Sequence, residues 1–222
     1  MILLHCACVP AAVAAPVAAA WLERLPRARA AVLSRRLAAG TGIESLTGLA
    51  LLAGCAKTVG LPPLSQLTWS RRGKPGWPDG PAFSIAHAGG YAVCAVAPAG
   101  IAIGVDIEPL GRVRNQTLRL VATPAERTQV DVGAIDATAL WTCKEAVLKA
   151  AGAGLSDLRR VTVDGDIGRF DGARYHLSRQ PLDGGLLLAI ATSHPLPPPR
   201  AHWPDASRLF AVRPSRNRRR VA

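Results

Sequence analysis

An α+β fold of two similar lobes, related by pseudo-twofold symmetry, is what this 222-residue sequence predicts, on three observations. Matching segments recur in the same order about 91 to 99 residues apart, each half reads as a strand, two helices and a set of short strands, and no uncharged apolar run reaches the length of a membrane span. Ile2 to Val9 followed by Pro10 aligns on Ile101 to Glu108 followed by Pro109, Leu46 to Leu61 on Leu140 to Leu155, and Gly89-Gly90 on Gly184-Gly185. Lobes of about 100 residues are small for independent domains, so a shared buried interface is expected. The predicted boundaries are 1–99, 100–194 and a Pro/Arg-rich tail over 195–222 that is expected to be disordered.

The apolar run Ile2 to Val9 predicts a buried first strand ended by Pro10. Periodicity and caps predict helices over Trp21 to Ala38 and Ile43 to Val59, separated by Gly40 and Gly42, and over Thr123 to Val132 and Asp136 to Ala151, the last closed by Gly152 and Gly154. Short strands are expected over Leu67 to Ser70, Ala82 to Ala86, Tyr91 to Ala97, Arg160 to Val163, Ala173 to Ser178 and Leu186 to Thr192. The glycine pairs at 89–90 and 184–185 suit hairpin turns.

Composition narrows the function classes. The formal charge is +12, and six arginines with no acid lie between Ser207 and Ala222, so half of the excess belongs to the tail. Arg24, Arg27, Arg29, Arg35 and Arg36 cluster in one predicted helix, a basic face suited to an acidic protein, a nucleotide or nucleic acid. The N-terminal run lacks the basic flank of a secretory signal, and the five cysteines (Cys6, Cys8, Cys55, Cys94, Cys143) are odd in number with no Cys-x-x-Cys pair. They are read as small core residues in a reducing compartment, which predicts a cytoplasmic protein. His5, Cys6 and Cys8 lack a second ligand cluster and are set aside as a metal site.

The two copies diverge where chemistry is expected. The second strand carries Gly104-Val105-Asp106-Ile107-Glu108, where the first copy has Ala7 and Val9 at the positions of Asp106 and Glu108. Residues i and i+2 of a strand share a face, and two carboxylates so close favour a cation between them, Mg²⁺ rather than zinc for all-oxygen ligands. The helical stretch Trp141-Thr142-Cys143-Lys144-Glu145-Ala146-Val147-Leu148-Lys149 adds a third carboxylate, with Glu145 and Lys149 one turn apart. A third acid with lysine nearby, Lys144 or Lys149, is what phosphoryl chemistry on Mg²⁺ uses.

With these two segments, Gly73-Lys74-Pro75 and Phe83-Ser84-Ile85-Ala86-His87-Ala88-Gly89, the sequence resembles the 4′-phosphopantetheinyl transferase superfamily in its long, two-lobed Sfp type. The resemblance runs from about Leu22 to about Thr192. It implies transfer of the 4′-phosphopantetheine arm of coenzyme A to a serine of an apo acyl or peptidyl carrier protein, with release of adenosine 3′,5′-bisphosphate. On the same basis Asp106, Glu108 and Glu145 match Mg²⁺ ligands, Glu145 also the base for the serine, and Lys149 a contact to the pyrophosphate and its leaving group. Lys74, His87, Arg29 and Ser45 match coenzyme A contacts, whereas Ala86 and Glu44 stand where the family favours serine and arginine. The implied partners are coenzyme A and an acidic carrier, with the chain a monomer and no membrane. A metal-dependent nuclease or a basic nucleic-acid-binding protein is the alternative. The first lacks a second acidic cluster, and the second lacks an aromatic platform or helix-turn-helix pattern.

Overall fold

Alternation of buried side chains along the apolar strands decides how the layers stack. The computed structural model describes residues 1–205 and 209–211. In chain order its first half holds β1 (Leu3–Cys8), α1 (Ala15–Leu22), α2 (Arg27–Ala38), α3 (Ile43–Val59), β2 (Thr68–Trp69), β3 (Pro75–Gly76), β4 (Phe83–Ala88) and β5 (Tyr91–Val96). Its second half holds β6 (Ile103–Pro109), α4 (Asn115–Arg119), α5 (Pro124–Asp131), α6 (Ala137–Ala151), β7 (Thr162–Asp164), β8 (Ile167–Phe170), β9 (Ala173–Leu182), β10 (Leu186–Thr192) and β11 (Ala201–His202). One sheet has the order β11-β1-β5-β4 and the other β6-β10-β9-β8-β7, while β2 and β3 form a separate ribbon. The fold is mixed α+β.

The two sheets bury a common core. Leu4, Cys6, Ala86, Val93 and Ala95 from the first meet Ile103, Val105, Ile107, Leu186, Leu188 and Ile190 from the second. The intervening residues point outward to helices: Ala92, Cys94 and Val96 toward the cluster that includes Leu46, Leu51 and Cys55 of α3, and Leu187, Ala189 and Ala191 toward α6. Strands covered on both faces need continuous apolar runs, which is how β1, β5 and β10 read in sequence.

That register places the chemistry. In β6, Ile103, Val105 and Ile107 fill the intersheet core, so Gly104, Asp106 and Glu108 take the opposite face, against α6. A Cβ on Gly104 would sit 2.0 Å from the Ala146 carbonyl oxygen and 2.3 Å from the Ala150 nitrogen. Only glycine lets α6 approach so near. Gly104→Ala is expected to cost on the order of 3 kcal/mol or more, a fall in melting temperature of about 10 °C. An unchanged thermal unfolding midpoint would mean that the helix does not need this approach.

Caps explain the helix bounds. Asp136 accepts the Thr138 and Ala139 amides at the start of α6, and Gly152 ends it at φ 70°. Thr123 and Glu126 form a reciprocal capping box on α5. The helix predicted over Trp21 to Ala38 is interrupted: α1 ends at Leu22, and α2 starts after Pro26, whose ring disfavours helical geometry in the residue before it and removes an amide donor. Residues 15–20 of α1, together with α4, β3, β8 and β11, are not expected from periodicity. Cys8 is exposed, unlike the other four cysteines, because it is the last residue of β1.

The tail is another correction. Within 195–222, Ala201 and His202 of β11 pair in parallel with Leu4 and His5 of β1. Leu209 and Phe210 pack on the first-half core, where the Phe210 carbonyl accepts the Trp21 indole N–H at 3.3 Å. The expectation missed that scattered apolar residues in a Pro-rich segment suffice to cover a sheet edge and an indole. All six tail arginines, Arg208 and Arg213 to Arg220, lie outside the described residues.

Candidate active site

Three carboxylates converge where β6 faces α6. One oxygen from each of Asp106, Glu108 and Glu145 lies within 4.8 Å of the others. Asp106 is 4% exposed, and its Oδ2 is buried with no hydrogen-bond partner among the described residues. A buried, partnerless carboxylate oxygen facing two further acids is a donor set without its acceptor, and hard oxygen ligands of this kind suit Mg²⁺. The residues therefore fit the ion.

Cations hold the other oxygens. Lys149 Nζ lies 2.6 Å from Asp106 Oδ1, and Arg112, in the loop after β6, lies 3.0 Å from Glu108 Oε2. Arg112 was not singled out from sequence, since no spacing rule connects a loop arginine to a strand carboxylate. Burial raises the Asp106 and Glu108 carboxyls, opposed by these cations. Glu145 rises to about 7, first through burial and then through the negative charge of Asp106.

The sign of that shift gives an expected pH dependence. An ordinary glutamate ionises near about 4.3, so the metal-free fold gains stability from neutral Glu145 in acid and loses it as pH rises through about 7. Mg²⁺ needs the ionised form. Its affinity should therefore increase up to about tenfold per pH unit below 7 and level off above, with one proton released per ion at pH 6. Calorimetry in buffers of different ionisation enthalpy measures the released proton, and Glu145→Gln should abolish it. Pure pH independence in the unmodified protein would show that Glu145 takes no part.

Lys144 does not belong here. One residue from Glu145 on α6, it is rotated about 100° around the helix, fully buried, with Nζ 2.8 Å from Glu126 Oε2. It also donates to the carbonyls of Val121 and Val161, while Glu126 accepts the Val163 amide. This pair ties α5 and β7 to α6, so of the two lysines on this stretch Lys144 is structural and Lys149 alone reaches the carboxylates.

The other predicted contacts line a path toward Lys149. Arg29, Arg36, Ser45 and His87 line a cavity of about 350 Å³ with Trp69, Gly73, Pro75 and Ile85. A second cavity of about 210 Å³ shares Gly73, Pro75 and Ile85 and reaches Lys74 and Lys149. The Arg29 guanidinium stacks over Trp69 at 4.5 Å, and His87 Nδ1 lies 3.4 Å from Glu44 Oε2. Lys74 lines the second cavity, and its ammonium is bonded to the main-chain carbonyl of Lys149. Ser84, beside the histidine segment, accepts the Val105 amide at 3.0 Å and so ties β4 to the strand that bears Asp106.

The sequence profile of the 4′-phosphopantetheinyl transferase superfamily matches residues 102–189. Among curated proteins, the chain is 37% identical over 125 residues to "4′-phosphopantetheinyl transferase Svp" of Streptomyces mobaraensis, an alignment covering 50% of each chain. It is 32% identical over 142 residues to "Putative 4′-phosphopantetheinyl transferase slr0495" of Synechocystis sp., covering 55% of this chain and 57% of that one. The chain spans about half the length of the curated relatives it matches. The resemblance is thus borne out at the level of the superfamily: residues 102–189, which hold Asp106, Glu108, Glu145 and Lys149, are related to the 4′-phosphopantetheinyl transferases, a family of transferase enzymes.

Proposed function

We propose that the chain transfers the 4′-phosphopantetheine arm of coenzyme A to a serine of an apo acyl or peptidyl carrier protein and releases adenosine 3′,5′-bisphosphate. The observation that carries this is the carboxylate triad beside Lys149, next to two adjoining cavities lined by Arg29, Arg36 and Lys74. Asp106, Glu108 and Glu145 would hold Mg²⁺, which when bound offsets charge on the pyrophosphate oxygens. The serine oxygen attacks the pantetheine-bearing phosphorus as the bond to the bridging oxygen of the pyrophosphate breaks. Glu145, ionised when the ion is held, accepts the serine proton. Lys149 stabilises charge on the departing bisphosphate. Arg29, Ser45 and His87 orient the nucleotide end.

Three carboxylates and one divalent ion sum to −1, and a pyrophosphate diester adds about −2, so a site of this kind requires the surrounding Lys and Arg groups. The basic surface of α2 suits an acidic carrier. The same reading treats the chain's two halves as copies of one unit, only the second keeping the acids, and the protein as a cytoplasmic monomer. No helix among the described residues is long and apolar enough to cross a membrane. The triad disfavours the nucleic-acid reading, since the path ends on one cluster of acids rather than on an open basic face. Incubation with Mg²⁺, coenzyme A and a panel of apo-carriers, followed by intact mass, tests the proposal. Addition of the phosphopantetheine mass to a carrier supports it, and none on any carrier rejects it.

A further inference from the structure

The Lys74 side chain makes its hydrogen bonds to the other half of the chain. It lies 75 residues from its acceptor, at the end of a tight turn closed by the Ser70 side chain, which accepts the Lys74 amide, and by the Gly73 amide on the Ser70 carbonyl. From there its ammonium crosses to the C-terminus of α6, where it donates to the Lys149 carbonyl and lies 3.5 Å from that of Ala150.

A helix C-terminus leaves carbonyls that the helix itself cannot satisfy. At α6 the glycine cap serves only part of them: the Ala153 amide reaches Leu148, and the Gly152 amide reaches Lys149 weakly at 3.3 Å. A cation on the remaining oxygens also answers the negative end of the helix dipole. The same turn is fixed a second time, by Arg72 on Asp157 at 3.0 Å. A flexible surface loop would need neither tie.

We propose that Lys74 is a positioning residue: by capping α6 from the other half of the chain, it sets the last helical turn, and with it the placement of Lys149 against Asp106. Lys149 is both the residue whose carbonyl Lys74 holds and the residue whose ammonium lies 2.6 Å from Asp106. An error of about 1 Å in such a group costs up to about a hundredfold in rate. The kinetic part of this proposal rests on the transferase reading above, but the structural part does not.

The test uses the full chain with Lys74→Met and Lys74→Arg, read by hydrogen exchange and by transfer kinetics. In Lys74→Met, amides 151–154 are expected to exchange about tenfold faster or more while β6 and β10 keep their protection. Turnover should fall about tenfold or more with the KM for coenzyme A within about twofold. Lys74→Arg, which keeps a charged donor, should restore both exchange and turnover to within about threefold of the parent; it carries the test if the Met variant does not fold. Unchanged exchange at 151–154, or a raised KM for coenzyme A at constant turnover, overturns the proposal and returns Lys74 to ligand contact. An inactive parent protein would reject the transferase reading while leaving the exchange result to decide the cap.

Discussion

Replacing Asp106 with asparagine is expected to reduce carrier modification by a thousandfold or more, within the range set by removal of a charge that positions a phosphoryl group. The size follows from its place. Asp106 is the most buried of the three acids, its Oδ2 has no hydrogen-bond partner among the described residues, and its Oδ1 meets Lys149. On the proposed mechanism one substitution therefore removes an ion ligand and the partner of the leaving-group cation. Stability should change little or rise, because a buried carboxylate whose charge is disfavoured by desolvation is replaced by a neutral isostere. Glu145 should titrate lower, nearer an ordinary glutamate, once that neighbouring charge is gone. Mass spectrometry of the carrier and circular dichroism of the variant give both readings. Near-normal turnover in a folded Asp106→Asn protein would take the triad out of the mechanism.

The acids were legible in sequence because each periodicity is rigid. An i, i+2 pair on a strand and an i, i+4 pair on a helix fix faces without tertiary knowledge, so Asp106 with Glu108, and Glu145 with Lys149, could be placed before any fold was in hand. Lys144 shows the converse: adjacency in a helix is not adjacency in space. Its partner Glu126 sits in a capping box, a signal strong enough to explain the residue locally and hide its second role. Arg112 and Lys74 act across loops and across 75 residues, where no periodicity applies. Among the elements, α5 and α6 were readable from Thr123, Asp136 and Gly152 as caps, whereas α1 and β11 depend on tertiary cover that local pattern does not encode.

Cutting the chain between 99 and 100 is expected to abolish both folding and transfer in each fragment expressed alone. The reason is the core between the sheets, in which Leu4, Cys6, Val93 and Ala95 of the first fragment cover Val105, Ile107, Leu188 and Ile190 of the second. Either fragment alone would expose one whole apolar sheet face. The cut also strands β11, which pairs only with β1 in its sheet, and leaves Leu209 and Phe210 without the Trp21 cluster. Lys74 would lose the carbonyls of α6, and Ser84 the Val105 amide. Exposed faces of this kind associate, so each fragment should be aggregated or unfolded by circular dichroism and size exclusion. Co-expression is the decisive arm: the two fragments should recover Mg²⁺-dependent transfer together, because every lost contact is noncovalent. Transfer at full rate by 100–222 alone would mean that the cavity lined by Arg29, Ser45 and His87 is dispensable, and the site would have to be redrawn within β6 and α6.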